Sequence, residues 1–433
     1  MIAVILAVTM IAELALYNAA SIRFSRDKYT DSEYAQMADY LEEDDEYMSA
    51  SRLQRMRAVL RLLGQPQSYD EYSLAASVAI ADEDYTKAAE MLEECVRLFT
   101  GPDEELADLY VKLGCVNALE RRWKTALTNF RNAAERDGGN TNAWLMMGEA
   151  CLRTEDYAGA VEAMRTYGTL KELTPAQYSA VASMELILGR AEDAVESCTT
   201  GLSLADDGSR AELLYTRAQA QLLLGHTELA AQDAADSFAA GGSEIETKTL
   251  QAASYDAVGR YTDAYPLYLQ AIQAGSQDPM LFRQAVECAY LCGDYETMLS
   301  LAERGLTLTE ALDTQTLTTF YKWIGVGNME NGNLAEADEN LGLYIENVSQ
   351  PEAEIYYLRG LSRMTLGNYD GAIEDFTMGM DSEELKDECL YNRGLCYMGQ
   401  EHSRYAAEDF EEIIKRDYDP NVVSMVKEFL GIN

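Results

Sequence analysis

Proline, histidine and basic residues are all scarce in this chain. Of 433 residues only 7 are proline and 2 are histidine. So few prolines leave room for many uninterrupted helices. Runs rich in Val, Ile and Thr, which strands would need, are hard to find, whereas Ala, Leu, Glu and Tyr are plentiful. The composition therefore predicts an all-helical chain. With 48% hydrophobic residues it can bury a large core, which excludes general disorder.

Positive charge is the second shortage. Lys and Arg number 34 against 74 Asp and Glu, for a formal net charge of -40. A field of that sign excludes nucleic acid and disfavours anionic membrane surfaces, because both are polyanions. It favours basic partners, or simply keeps a long chain soluble.

Recognisable chemistry is missing as well. The chain has no G-x-x-x-x-G-K-[ST] phosphate loop and no G-x-S-x-G nucleophile turn. His226 and His402 both fall near expected turns, far apart along the chain. The 8 cysteines include no C-x-x-C pair, so neither a disulfide framework nor a redox pair is expected. Cys95, Cys151 and Cys198 fall where a helix would bury them as small apolar residues. A reducing environment suits them, and an anaerobe's exterior would serve equally. Cys288 and Cys292 share a helix face but lack the further ligands of a zinc site. The acidic cluster Glu42 to Glu46 lacks the alternating ligands and glycine of a calcium loop. No catalytic, cofactor-binding or metal-binding residue is expected, and the chain is not expected to be an enzyme.

What the sequence does contain is a repeat. Glu354 to Met380 reads as a helix carrying Gly360, a turn at Gly367-Asn368, and a second helix carrying Ala372 and Phe376. About 34 residues later the plan returns with Gly394, Ala406 and Phe410, and the preceding unit has Gly325, Ala337 and Leu341. Extended over residues 31 to 419, eleven copies are found. The small residue of the first helix recurs as Ala38, Ala76, Gly114, Gly148, Ala182, Ala218, Ala252, Val286, Gly325, Gly360 and Gly394. That of the second recurs as Ala50, Ala88, Ala126, Ala160, Ala194, Ala230, Ala264, Met298, Ala337, Ala372 and Ala406. Two antiparallel helices can approach closely only where side chains are short, and larger ones then fill the flanking holes. The aromatic after the turn is expected to do that filling: Tyr47, Tyr85, Trp123, Tyr157, Tyr261, Tyr295 and Tyr369. Gly189, Gly225, Gly259, Gly293, Gly332 and Gly367 supply the turn itself.

Proline, which did not set the phase, checks it. Pro66, Pro102, Pro175, Pro279, Pro351 and Pro420 all fall between units, where a helix must stop. Only Pro266 lies inside an expected helix, where it predicts a kink.

These residues resemble the tetratricopeptide repeat, a helix-turn-helix unit. The resemblance implies an all-α, right-handed superhelical solenoid of about eleven repeats, without a true internal domain boundary. Three segments are expected: an apolar N-terminal segment over residues 1–28, the solenoid over 29–419, and a capping helix over 420–433. The first repeat fits worst, with Gln54 and Arg57 at usually apolar places. The cap is apolar through Val422, Val423, Met425, Val426, Phe429 and Leu430.

Residues 1–28 support several readings. Met1 to Ala12 is apolar apart from Thr9, and the run resumes after Glu13 as far as Tyr17. A membrane-spanning segment, a cleaved secretory signal and an N-terminal cap helix all fit. Glu13 opposes insertion, at about 2.5–3.5 kcal/mol. Arg23, Arg26 and Lys28 follow the run, which for an uncleaved span favours a solenoid on the cytoplasmic side without fixing it. A membrane-associated location through residues 1–20 is expected ahead of a soluble cytoplasmic one.

In the resembled family the first helix of each repeat lines the concave face, where partner peptides commonly lie. Carried onto this sequence, early repeats present small residues such as Ser73, Ser77, Ser179 and Ser183. Late repeats present Val326, Met329, Tyr357, Leu361, Met364, Tyr391, Leu395 and Met398, with Glu354 and Glu388 nearby. Tyr, Leu and Met offer large, adaptable contact area for an amphipathic helix or extended segment, and the carboxylates favour basic residues on it. Burial of these side chains by neighbouring helices is the competing reading. The family's Lys, Arg and Asn carboxylate grip is absent, since Arg283 and Lys322 stand as isolated bases. The expected function is an interaction scaffold for an apolar or basic protein or peptide, possible membrane tethering included. The alternative is an envelope-associated protein binding a small molecule or glycan.

Overall fold

A computed structural model of the chain describes residues 53–54, 56–57, 60–61, 64–308, 313–416 and 419–432. The apolar segment 1–28 lies outside the described residues, as do Ala38, Tyr47 and Ala50 of the first expected repeat. Among the described residues the secondary structure is entirely helical, and its helices pack in consecutive pairs.

The helices fall into two compact units that meet in sequence at Ser243 and Glu244. The first holds α1 (Tyr69–Ala81), α2 (Tyr85–Leu98), α3 (Asp103–Leu119), α4 (Trp123–Arg136), α5 (Thr141–Arg153), α6 (Tyr157–Leu170), α7 (Pro175–Ile187), α8 (Ala191–Leu204), α9 (Asp207–Leu223) and α10 (Thr227–Ala239). The second holds α11 (Glu244–Asp256), α12 (Tyr261–Gln273), α13 (Pro279–Leu291), α14 (Tyr295–Leu306), α15 (Thr314–Glu330), α16 (Leu334–Asn347), α17 (Ala353–Thr365), α18 (Tyr369–Gly379), α19 (Lys386–Gly399), α20 (Ser403–Arg416) and α21 (Pro420–Leu430). Each odd-numbered helix up to α19 forms a hairpin with the next. The last of the ten hairpins among the described residues is followed by α21, which covers Phe410 and Ile413 through Val426.

One backbone motif makes all ten turns. In the turn from α7 to α8, Gly189 has φ of 72°. Its N–H donates to the Leu186 carbonyl at 3.0 Å, and the Arg190 N–H donates to Glu185 at 2.8 Å. These bonds satisfy carbonyls that a helix end would leave orphaned. The residue that closes one helix also opens the next. Asp84, Asp156, Asp294 and Asn368 each end the turn, then accept an N–H from the following helix. The six expected turn glycines all have positive φ. In the other four turns Glu83, Arg121, Glu155 and Glu401 take the same left-handed conformation, at 56°, 58°, 62° and 62°. Side chains there are strained, by about 1–2 kcal/mol.

Close approach of paired helices is equally uniform. Ala88, Ala126, Ala160, Ala194, Ala230, Ala264, Met298, Ala337, Ala372 and Ala406 are all fully buried. The side chain seated over the small residue of the first helix comes from one turn further along the second. A Cβ on Gly360 would meet the Phe376 ring at 2.8 Å, and one on Gly325 would meet Leu341 at 2.6 Å. Gly114 and Gly394 likewise face the rings of Phe130 and Phe410.

This corrects the role expected of the aromatic after the turn. Tyr85, Trp123, Tyr157, Tyr261 and Tyr369 are only half-buried, and Tyr295 is exposed. Two of them reach the following hairpin: Tyr369 lies against Gly399 of α19, and Arg153 of α5 sits 5.3 Å over the Trp123 ring. At the first helical position a side chain points back past the turn, which lets these two meet the next repeat; Tyr295 instead meets Tyr290 of its own hairpin.

Pro175, Pro279 and Pro420 start helices and Pro102 caps one, as the phase requires. Pro266 lies inside α12, which runs through it unbroken. It leaves the Thr262 carbonyl without its usual i+4 donor.

A recurring ion pair, not anticipated from sequence, fastens three hairpins. Arg217, Arg359 and Arg393, each just before the small residue of its first helix, bind Asp233, Asp375 and Asp409, sixteen residues on. Every pair is two-pronged, with N–H to oxygen distances between 2.6 and 3.0 Å.

Candidate interaction face

Within the second unit, α13, α15, α17 and α19 touch one another in succession. Spacings of three and four residues put Glu354, Tyr357, Leu361 and Met364 in one stripe along α17. Glu388, Tyr391, Leu395 and Met398 form the matching stripe on α19, and Val326 and Met329 continue the face on α15.

These stripes are anchored in the core along one edge. Val326 is buried, and Met329, Tyr357, Leu361, Met364, Tyr391 and Leu395 are half-buried. Met398 is 37% exposed. Tyr357 packs on Phe376 with ring centroids 6.0 Å apart, and Leu361 and Met364 join the same cluster. Tyr391 repeats the arrangement on Phe410 at 6.3 Å. Burial raises the Tyr357 hydroxyl above its ordinary pKa, the Glu388 carboxylate adds to the rise, and a hydrogen bond with Asn392 opposes it. Glu388 keeps one carboxylate oxygen buried without a hydrogen-bond partner.

The bases expected to stand isolated do not. Lys322 donates to Glu352 at 2.7 Å, with its Nζ 5.1 Å over the Trp323 ring. Arg283 is only 7% exposed and lies 3.8 Å from Glu287. Both are drawn to carboxylates because the chain has so many more acids than bases. Glu330 and Glu354 remain exposed, and neither forms an ion pair among the described residues. The face is therefore apolar, edged with carboxylate, and has no free base among the positions considered. In the first unit Ser179 is buried rather than presented, at 1% exposure.

Other sequence candidates are placed as follows. Cys95, Cys151, Cys198 and Cys288 are buried, and burial raises all four thiols above their ordinary pKa. No group of three or more His, Cys, Asp or Glu among the described residues is arranged to hold a metal ion. His226 precedes α10 and His402 precedes α20, both as the last residue of a turn. No helix among the described residues is long and apolar enough to cross a membrane. Sequence reasoning passed over Tyr290 and Trp323 and gave Tyr295 only a packing role; Tyr290 meets both of the others beside the face.

Two sequence profiles, both described as tetratricopeptide repeat, match residues 120–169 and 353–377. No curated protein sequence matches the chain. Among solved structures, YrrB, titled a TPR protein with an unusual peptide-binding site, is 16% identical with a TM-score of 0.38. The match covers 46% of this chain and 94% of that one. The pilF protein of Pseudomonas aeruginosa is 16% identical at 0.39, over 50% and 97%. Naa15/Naa10 bound to HypK-THB is 14% identical at 0.45, over 92% and 65%. Likenesses of this size carry no argument about partners, and those named belong to the other proteins.

Proposed function

We propose, from the premise that this chain is a tetratricopeptide repeat protein, that it is a scaffold holding an apolar or basic protein segment. The segment would lie on the first-helix face of α15, α17 and α19. Members of this family are generally interaction scaffolds and generally non-catalytic. The observation that carries the finer reading is the coincidence of stripes on adjacent helices. Tyr, Leu and Met align on α17 and α19, half-open to solvent, and Glu354 is left unneutralised at their edge. A segment with Leu or Met anchors would cover the apolar stripe, and its Lys or Arg would meet the carboxylates.

Affinity capture with the full chain tests this. Met398→Lys together with Glu354→Lys alters two exposed positions without touching the core, so the fold should be unchanged by circular dichroism. Loss of the captured protein with that double variant supports the reading. Capture that persists undiminished removes it. Saturable uptake of a small molecule or glycan, with no protein captured, would favour the alternative ligand class.

Residues 1–20, outside the described residues, support a membrane tether as a second part of the proposal, because their apolar run approaches the length of a bilayer crossing. Sedimentation with membranes by the full chain, but not by residues 29–433, is the expected result. Equal sedimentation of both would remove the tether.

A further inference from the structure

The aromatic residues beside the proposed face form a group of their own. Tyr290, at the C-terminal end of α13, packs on Trp323 of α15 with ring centroids 4.3 Å apart. Tyr295, opening α14, meets Tyr290 edge-on at 5.9 Å and is 40% exposed. Around these rings stand carboxylates. Burial raises the Tyr290 hydroxyl above its ordinary pKa, and Glu354, Tyr295 and Glu330 each add to the rise. Glu330 stands two turns after Trp323 on the same face of α15, and Glu354 opens the neighbouring α17 and adds to the same negative field. Neither is neutralised by a base among the described residues.

The core of the second unit fixes the group, with Trp323 in that core and Tyr290 packed against it. Trp323 is 9% exposed, so Tyr290 and Tyr295 form the solvent-facing part. The Lys322 ammonium, 5.1 Å from the Trp323 ring centroid, is already paired with Glu352 at 2.7 Å. Tyr290 and Tyr295 offer the remaining aromatic surface.

We propose that Tyr290, Tyr295 and Trp323, with Glu330 and Glu354, anchor a lysine or arginine side chain of the bound segment. Aromatic surface attracts a cation through the ring quadrupole, and a carboxylate rim supplies the opposite charge. The segment's aliphatic residues would then run along α17 toward Met364 and Met398. A neutral segment gains nothing from these carboxylates, and an acidic one is repelled by them, because Lys322 is already paired with Glu352. The inference deepens the scaffold reading and rests on it, since the anchor lies at one end of the same face.

The probe is a fluorescein-labelled synthetic peptide of alternating lysine and leucine, titrated into the full chain at about 0.15 M salt, where diffuse attraction to the acidic surface is screened. Glu330→Gln with Glu354→Gln should weaken binding about tenfold, and Tyr290→Leu by a similar factor. Glu374→Gln with Glu411→Gln removes the same charge from exposed second-helix positions and should change binding less than about twofold. Equal weakening by both glutamine pairs, or by neither, overturns the anchor. Met364→Lys with Met398→Lys separates the two readings. Binding that responds to the lysines but not to the glutamines at 330 and 354 removes the anchor and leaves the scaffold face standing. No binding to the wild-type chain also overturns the anchor, whereas the scaffold face is decided by its own capture experiment.

Discussion

The guanidinium of Arg359 grips the carboxylate of Asp375 with two parallel bonds, Nε to Oδ2 at 2.9 Å and Nη2 to Oδ1 at 2.6 Å. Arg363, one turn along the same helix, adds a third bond at 3.0 Å and reaches Asp338 of α16 at 2.7 Å. One buried carboxylate, 1% exposed, thus ties α17 to α18 and, through Arg363, to the preceding hairpin. Removing it leaves Arg359 without its carboxylate, while Arg363 keeps Asp338. Asp375→Ala should destabilise the second unit by about 3–5 kcal/mol. The exposed pair Arg404–Glu408, with side chains 88% and 58% exposed, should cost at most about 0.5 kcal/mol when broken. Urea unfolding of the two variants side by side measures the difference.

The turns predict a change of opposite sign. Glu155 holds a left-handed conformation that glycine takes freely at Gly189, Gly225 and Gly367. Glu155→Gly should therefore stabilise the first unit by about 1 kcal/mol, relief of backbone strain outweighing the added freedom of the unfolded chain. A lowered unfolding midpoint in urea would show that the Glu155 side chain contributes more than its backbone costs.

Where glycine serves close approach instead, the result reverses. A methyl group on Gly360 would lie 2.8 Å from the Phe376 ring, which is fully buried and has no room to retreat. Gly360→Ala should cost about 1–3 kcal/mol. Thermal unfolding of this variant beside Glu155→Gly distinguishes the two uses of glycine in one repeat family.

Much of this was legible in the sequence, because the repeat reports its own geometry. Gly360, Ala372 and Gly367 are small for separable reasons, and recurrence at one spacing exposes all three. The Arg359–Asp375 clasp was equally present in the letters, at Arg217–Asp233 and Arg393–Asp409 too. It escaped because a pair sixteen apart has meaning only once the hairpin brings both positions together. The aromatic after the turn was misassigned for a related reason. Tyr369 sits next to the turn in sequence, but its ring lies on Gly399 of the following hairpin, and direction on a helix is not spelled by spacing. The face was only half legible: periodicity placed Tyr357 and Tyr391 on one side, but not how deeply Phe376 and Phe410 draw them in. Pairing of Lys322 with Glu352, thirty residues away, was not visible at all.

Loss of stability on raising the pH should centre on Asp256. Its carboxyl, 9% exposed in α11, faces the Tyr268 hydroxyl at 3.1 Å, the Cys288 thiol and the Arg283 guanidinium. Burial pushes its pKa up from 3.8 to about 6, although the hydrogen bonds and Arg283 oppose the rise. The folded state then holds this proton more tightly than the unfolded chain does. Its stabilising effect is complete below about pH 3.8 and is lost as pH rises through about 6. The whole swing is on the order of 3 kcal/mol. Asp256→Asn should remove it, so the stability difference between variant and wild type should grow in the variant's favour from pH 4 to pH 7. A difference independent of pH would place the titration elsewhere.

The most direct test of the scaffold account is site-specific photo-crosslinking in extracts of the source cells. A benzophenone side chain would be placed singly at Glu354, Met398, Glu374 and Glu411, all exposed. The first two lie on first helices and the last two on second helices. The account predicts one discrete protein adduct from positions 354 and 398 and none from 374 and 411. Adducts of the same protein from all four positions, or from the second helices alone, would contradict it.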